Sequence, residues 1–121
     1  EKIKGYGPVR TMKMFAIIHE NPMPYPSVTE IQPDELSDQT DTAVYVVTRQ
    51  AGEGGDRKAE KGDYLLSDVE TNNIKLLAGH YDKLLLVINC GSPLDLSVLD
   101  EVKVDAVLYY SQGGMEGGNA L

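Results

Sequence analysis

Three aliphatic runs constrain this chain more than any other feature. They are AVYVVT at 43–48, LLLVIN at 84–89 and AVLYY at 106–110. The first is apolar and β-branched with no polar alternation, the pattern of a strand buried on both faces. The other two read as buried strands of the same kind, and MKMFAIIH at 12–19 reads as an earlier strand. Between the runs the periodicity changes. Ser67 with Glu70 three residues on makes a capping box. Val69, Ile74, Leu76, Leu77 and a closing Gly79 then fit an amphipathic helix with a C-cap glycine. Residues 97–102 read as a short helix. So do residues 33–39, where Pro33 precedes Asp34 and Glu35 in a first turn. The proline-rich stretch at 20–33 favours extended, irregular chain. Strands alternating with helices at this spacing imply βαβ units, hence an α/β fold with a mainly parallel sheet flanked by helices.

The chain has 121 residues, enough for one domain with a real core. A formal charge of −8 opposes nucleic acid or an anionic membrane as partner, since both need basic patches. No apolar run reaches the eighteen or so residues of a membrane span. The single cysteine, Cys90, excludes an intramolecular disulfide and fits the cytoplasm, with the compartment left open. The chain opens on Glu1 and stops at Asn119-Ala120-Leu121, which reads as a domain cut from a longer protein.

In a parallel sheet all strand C-termini lie on one edge, where ligands bind. The glycine-bearing loops of this sequence fall there: AGEGGDR after the first run, CGSP after the second and SQGGMEGG after the third. A phosphate cradle is disfavoured, because no GxGxxG or GxxxxGK[ST] pattern is present and Glu53, Asp56 and Glu116 would repel phosphate. The spacing of those three carboxylates matches no oxygen-cage metal loop. His19 and His80 lack ligand spacing, and no metal or other cofactor is expected. Cys90, at the end of an apolar strand, reads as a buried structural thiol. Ser92 before Pro93 has no nucleophile-elbow context. One carboxylate stands out: Glu53 between Gly52 and Gly54, placed as a hinged group able to donate and later accept a proton. The same pattern also suits a solvated glutamate in a turn.

Four stretches in order resemble the C-terminal α/β sandwich domain of glycoside hydrolase family 3, the β-glucosidase-like enzymes. They are DTAVYVVTRQAGEGGDR, KGDYLLSDVETNNIKLL, LLLVINCGSPLDLSVLDEV and DAVLYYSQGGMEGGNAL. They cover the chain from about Asp41 to its end, and the first forty residues carry little of the likeness. The resemblance implies retaining hydrolysis of terminal β-linked glycosides at a site shared by two domains. An N-terminal (α/β)8 barrel of the same protein, absent from this chain, would supply the aspartate nucleophile and most sugar contacts. This domain would supply Glu53 as general acid/base. Retaining geometry sets the two carboxyl groups about 5–5.5 Å apart. Asp56 and Arg57 are expected to fasten the loop by an ion pair or charge-assisted hydrogen bond. Glu116 is expected to cap or close its loop, with a substrate-side contact as the other reading. Tyr64, Tyr109 and Tyr110 are read as packing residues. Ala51 stands where the family carries serine. The resemblance brings a β-glycoside as partner, no cofactor and a fragment inactive by itself. The rival reading is a non-catalytic, flavodoxin-like α/β module binding a small ligand at the same sheet edge.

Overall fold

A computed structural model describes residues 28–49, 57–111 and 113–121. The strand expected at 12–19, with His19 at its end, lies outside the described residues. Three strands, β1 (Thr42–Arg49), β2 (Lys83–Cys90) and β3 (Ala106–Tyr109), form one sheet in the order β1-β2-β3. Both pairings are parallel, with Arg49 opposite Cys90 and Ile88 opposite Tyr109. The three C-terminal ends therefore share one edge. The two longer strands extend the expected runs by one residue at each end.

Helix α1 (Asp68–His80) joins β1 to β2 and covers one face of the sheet. Its Ile74 and Leu77 enter a core with Ala43, Val47, Leu84, Leu86, Ile88 and Cys90, closed at the rim by Leu66 and Val98. Ile74, Leu86 and Ile88 have no exposed surface. Burial on this scale is the main source of stability, about 25 cal/mol per Å² of apolar surface. The helix begins as expected. Ser67 Oγ accepts from Glu70 N at 3.2 Å, and Glu70 Oε2 accepts from Ser67 N at 2.7 Å. Ser67→Ala removes the side-chain half of this box and is expected to cost about 1 kcal/mol. The check is a urea unfolding midpoint lowered at constant m. A midpoint equal to wild type would contradict that role.

The helix does not end on Gly79. It continues to His80, and Tyr81 caps it with an extended backbone (φ −98°, ψ 146°), donating its N–H to Leu77 O at 2.9 Å. A left-handed C-cap, which would have called for glycine, is not used, because the chain passes straight from Tyr81 into β2. The two short helices are single 3₁₀ turns, Pro33–Glu35 and Ser97–Asp100. In the first, the Glu35 carboxylate accepts from Gln32 N at 2.7 Å, and Leu36 then turns extended. Asn73, a buried polar residue of α1, fastens the segment before that turn. It accepts from Ile31 N at 2.8 Å and donates to Thr29 O at 2.9 Å.

The second face of the sheet differs from expectation. Cross-strand register puts Val44 beside Leu85, Val46 beside Val87, and Val87 beside Leu108. Val87 is fully buried, but Val44 and Val46 are 54% and 47% exposed, and all four residues of β3 are exposed. β1 is thus buried on one face only, and β3 is an exposed edge strand. Among the described residues, α1 packs on the other side of the sheet, and on this side Val46 and Val87 line a groove with Gly117, Gly118 and Leu121 of the C-terminal segment. An apolar run without alternation reports two hydrophobic faces and not whether both are covered.

Candidate active-site edge

Each strand ends in a side chain that is tied down. Arg49, the last residue of β1, turns inward and is only 7% exposed. A buried guanidinium needs a counter-ion and several acceptors. Glu70 in the first turn of α1, 2% exposed, provides them with a bidentate pair at 2.6 and 2.7 Å. Arg49 also donates to Thr48 O at 2.9 Å and, through Nε, to Asp63 O at 3.0 Å. Glu70 Oε2 further accepts from the Ser67 N–H and hydroxyl. Burial alone would raise the Glu70 carboxyl above its ordinary range. The Arg49 and Ser67 hydrogen bonds outweigh that and hold it below. The Glu70 hydrogen bonds raise Arg49 in turn, against the effect of its burial. Both groups are therefore charged.

The network continues past the glycine-rich segment. Asp63 Oδ1 accepts from Arg57 Nη1 at 2.7 Å, and Oδ2 accepts from Lys58 N at 2.9 Å. Those bonds, the Arg57 one foremost, hold the Asp63 carboxyl below its ordinary value. Arg57 Nε donates to Ser92 Oγ at 2.7 Å, and Nη2 lies 3.7 Å from Cys90 Sγ. Ser92 N lies 3.5 Å from the same sulfur, and Tyr109 OH donates to Ser92 O at 2.7 Å. A continuous polar chain thus links the ends of β1, β2 and β3 through Glu70, Asp63, Arg57 and Ser92.

Of the residues expected from sequence to shape this site, Glu53, Gly52, Gly54 and Asp56 lie outside the described residues. Arg57 is described, and among the described residues it forms an ion pair with Asp63 at 2.7 Å. Cys90 is fully buried and at the end of β2. Glu116 stands just before the short helix α2 (Gly117–Ala120), exposed, with its carboxylate accepting from Asn119 Nδ2 at 2.6 Å. In that same loop the Tyr110 hydroxyl would clash with a Cβ on Gly113, so the ring packs against a position that only glycine leaves open. A groove of about 240 Å³ runs between this loop and Val46, Val87 and Asn89. His80 closes α1, 3.4 Å from an Asp38 carboxylate oxygen. Among the described residues, no cluster of three or more His, Cys, Asp or Glu side chains has the arrangement to hold a metal ion. No helix among them is long and apolar enough to cross a membrane.

Sequence reasoning left Arg49, Asp63, Ser92 and Tyr109 without these roles. A signal existed for the first: a cation closing an apolar strand must find a buried partner. Glu70, read only as half of a cap, was that partner.

A family profile described as "Glycosyl hydrolase family 3 C-terminal domain" matches residues 26–121. The chain belongs to this family. Among the similar proteins, a beta-glucosidase of Ruminococcus albus is 37% identical, over 68% of this chain and 9% of that protein. Beta-glucosidase A of Butyrivibrio fibrisolvens is 27% identical, over 66% of this chain and 12% of that protein. The solved structure of beta-glucosidase 3B from Thermotoga neapolitana in complex with glucose is 42% identical to the family 3 domain described here. It superposes with a TM-score of 0.59 over 64% of this chain and 11% of that one. The chain spans about a tenth of the length of these relatives. The parallel α/β sheet of this family 3 domain agrees with that neighbour. Each of these relatives is named as a beta-glucosidase.

Proposed function

We propose that this domain supplies the general acid/base of a retaining β-glucosidase, with Glu53 as the proton-carrying residue. The observation that carries the reading is the placement of the GEG sequence. In chain order Gly52-Glu53-Gly54 comes three residues after the end of β1, and the β1 end shares one sheet edge with the ends of β2 and β3, in a chain whose relatives are β-glucosidases. A carboxylate between two glycines suits the chemistry. It must protonate the leaving oxygen in the first step and deprotonate water in the second. The nucleophile would be an aspartate on an (α/β)8 barrel elsewhere in the same protein, with most sugar contacts. The substrate class is a terminal β-linked glycoside. Asp56 is assigned to fastening the loop, and Glu116 to closing the one before α2.

One carboxylate without its nucleophile cannot run a double displacement. The purified 121-residue chain is therefore expected to release no phenol from an aryl β-glucoside under conditions where the parent enzyme turns it over. Turnover by the chain alone, surviving repurification, would contradict the shared-site reading.

A further inference from the structure

We infer that Asp63 is a positioning residue for the proton-transfer step, holding together the two flanks from which the Glu53 segment springs. The inference rests on the assignment of Glu53 above. Segment 50–56 leaves the described structure at Arg49 and returns at Arg57. Asp63 receives hydrogen bonds from both sides of it. Its backbone carbonyl accepts from Arg49 Nε at 3.0 Å. Its carboxylate accepts from Arg57 Nη1 at 2.7 Å and Lys58 N at 2.9 Å. One residue thus bonds to the last residue before the segment and the first two after it.

The carboxylate is not needed to make the turn it sits in. Backbone bonds close that turn independently: Asp63 N to Glu60 O at 3.2 Å, Leu65 N to Glu60 O at 3.1 Å and Gly62 N to Leu65 O at 2.9 Å. Gly62, at φ +85°, adopts the left-handed conformation that brings the chain round ahead of Asp63. The bonds that the carboxylate adds run only to the far flank. Each flank is anchored in turn on a regular element. Arg49 is locked on Glu70 of α1, and Arg57 donates to Ser92, two residues beyond β2. Charge-assisted bonds of this kind carry geometric specificity. Asp63 stays ionised well into acid because Arg57 and the Lys58 N–H favour its charged form. A general acid displaced by about an ångström loses up to about a hundredfold in rate.

The test uses the full-length parent enzyme with Asp63→Ala, Asp63→Asn, Asp63→Glu and, as reference, Glu53→Ala. Two substrates are compared. Dinitrophenyl β-glucoside departs without a proton, and phenyl β-glucoside needs one. Asp63→Ala is expected to lower kcat/KM on the phenyl glucoside about tenfold to a hundredfold, with a much smaller loss on the dinitrophenyl glucoside. Asp63→Glu, which keeps the charge, should regain part of the difference. Equal losses on both substrates, or none, would overturn the inference. If Asp63→Ala does not accumulate as folded protein, Asp63→Asn is read for the same selectivity and decides by the same criterion. The Glu53→Ala reference separates the two claims. If it shows the leaving-group selectivity and the Asp63 variants do not, the Asp63 inference falls alone. If Glu53→Ala itself lacks the selectivity, both fall.

Discussion

Glu53→Gly in the full-length parent enzyme is expected to lower kcat on natural β-glucosides by about 10²–10⁴-fold, the range general acid/base catalysis contributes. The loss should be graded by the leaving group. An alkoxide or sugar leaving group requires the proton that Glu53 would give, whereas a strongly acidic phenol departs without it. With activated substrates glycosylation survives, and the second step becomes limiting because no base activates water. The glycosyl-enzyme should then accumulate, seen as a burst of phenol followed by a slow steady state. Activity of Glu53→Gly near wild type on a natural glucoside would remove Glu53 from the mechanism. The family assignment would stand regardless, since it rests on the match over residues 26–121.

The largest expected effect on stability comes from the core side of the same edge. Glu70→Gln leaves the Arg49 guanidinium buried with a neutral amide in place of its counter-ion. Breaking a buried pair this way costs about 3–5 kcal/mol, a large part of the roughly 5–15 kcal/mol that holds a domain folded. Replacing both partners, Arg49→Met with Glu70→Leu, is expected to lose much less, because no charge is left unmatched. Urea midpoints of the single and double variants check this. A double variant as unstable as Glu70→Gln would contradict it.

The pair also sets an acid limit. Folded Glu70 binds its proton less readily than the reference carboxyl at 4.5. As pH falls below that value the unfolded chain takes up more protons than the folded one. The contribution is therefore whole above about pH 4.5 and disappears as pH falls through the lower folded value. Asp63, lowered mainly by Arg57 from a reference of 3.8, adds a loss in the same direction further into acid. The stability of Glu70→Gln should consequently fall less between neutral pH and the acid window than that of wild type. Equal falls would mean that Glu70 is not the titrating group.

Much of this architecture could be read from residue pattern because its causes are local. Aliphatic runs gave β1, β2 and β3 within a residue of their ends, and Ser67-x-x-Glu70 gave the start of α1. Elements failed where the cause was not local. Gly79 has the composition of a helix stop, yet the stop is Tyr81, whose extended backbone leads into β2. β3 has the composition of a central strand but lies at an edge, because hydropathy records the character of a face and not what covers it. The site divides the same way. That the strand ends leading into the glycine-bearing segments share one edge follows from parallel strand direction alone. The brace behind them joins Arg49, Asp63, Glu70 and Ser92, residues up to 43 positions apart in the chain. Each of these looks like an ordinary polar residue until the fold brings it to its partner.

The central claim, that Glu53 carries the proton, is met most directly by azide added to Glu53→Gly parent enzyme turning over dinitrophenyl β-glucoside. A small anion can enter the space left by the carboxylate and attack the glycosyl-enzyme without base assistance. The expected result is a rate that rises with azide, with β-glucosyl azide of retained anomeric configuration as product. No rise in rate and no glycosyl azide, from a variant that still forms the glycosyl-enzyme, would contradict the assignment of Glu53.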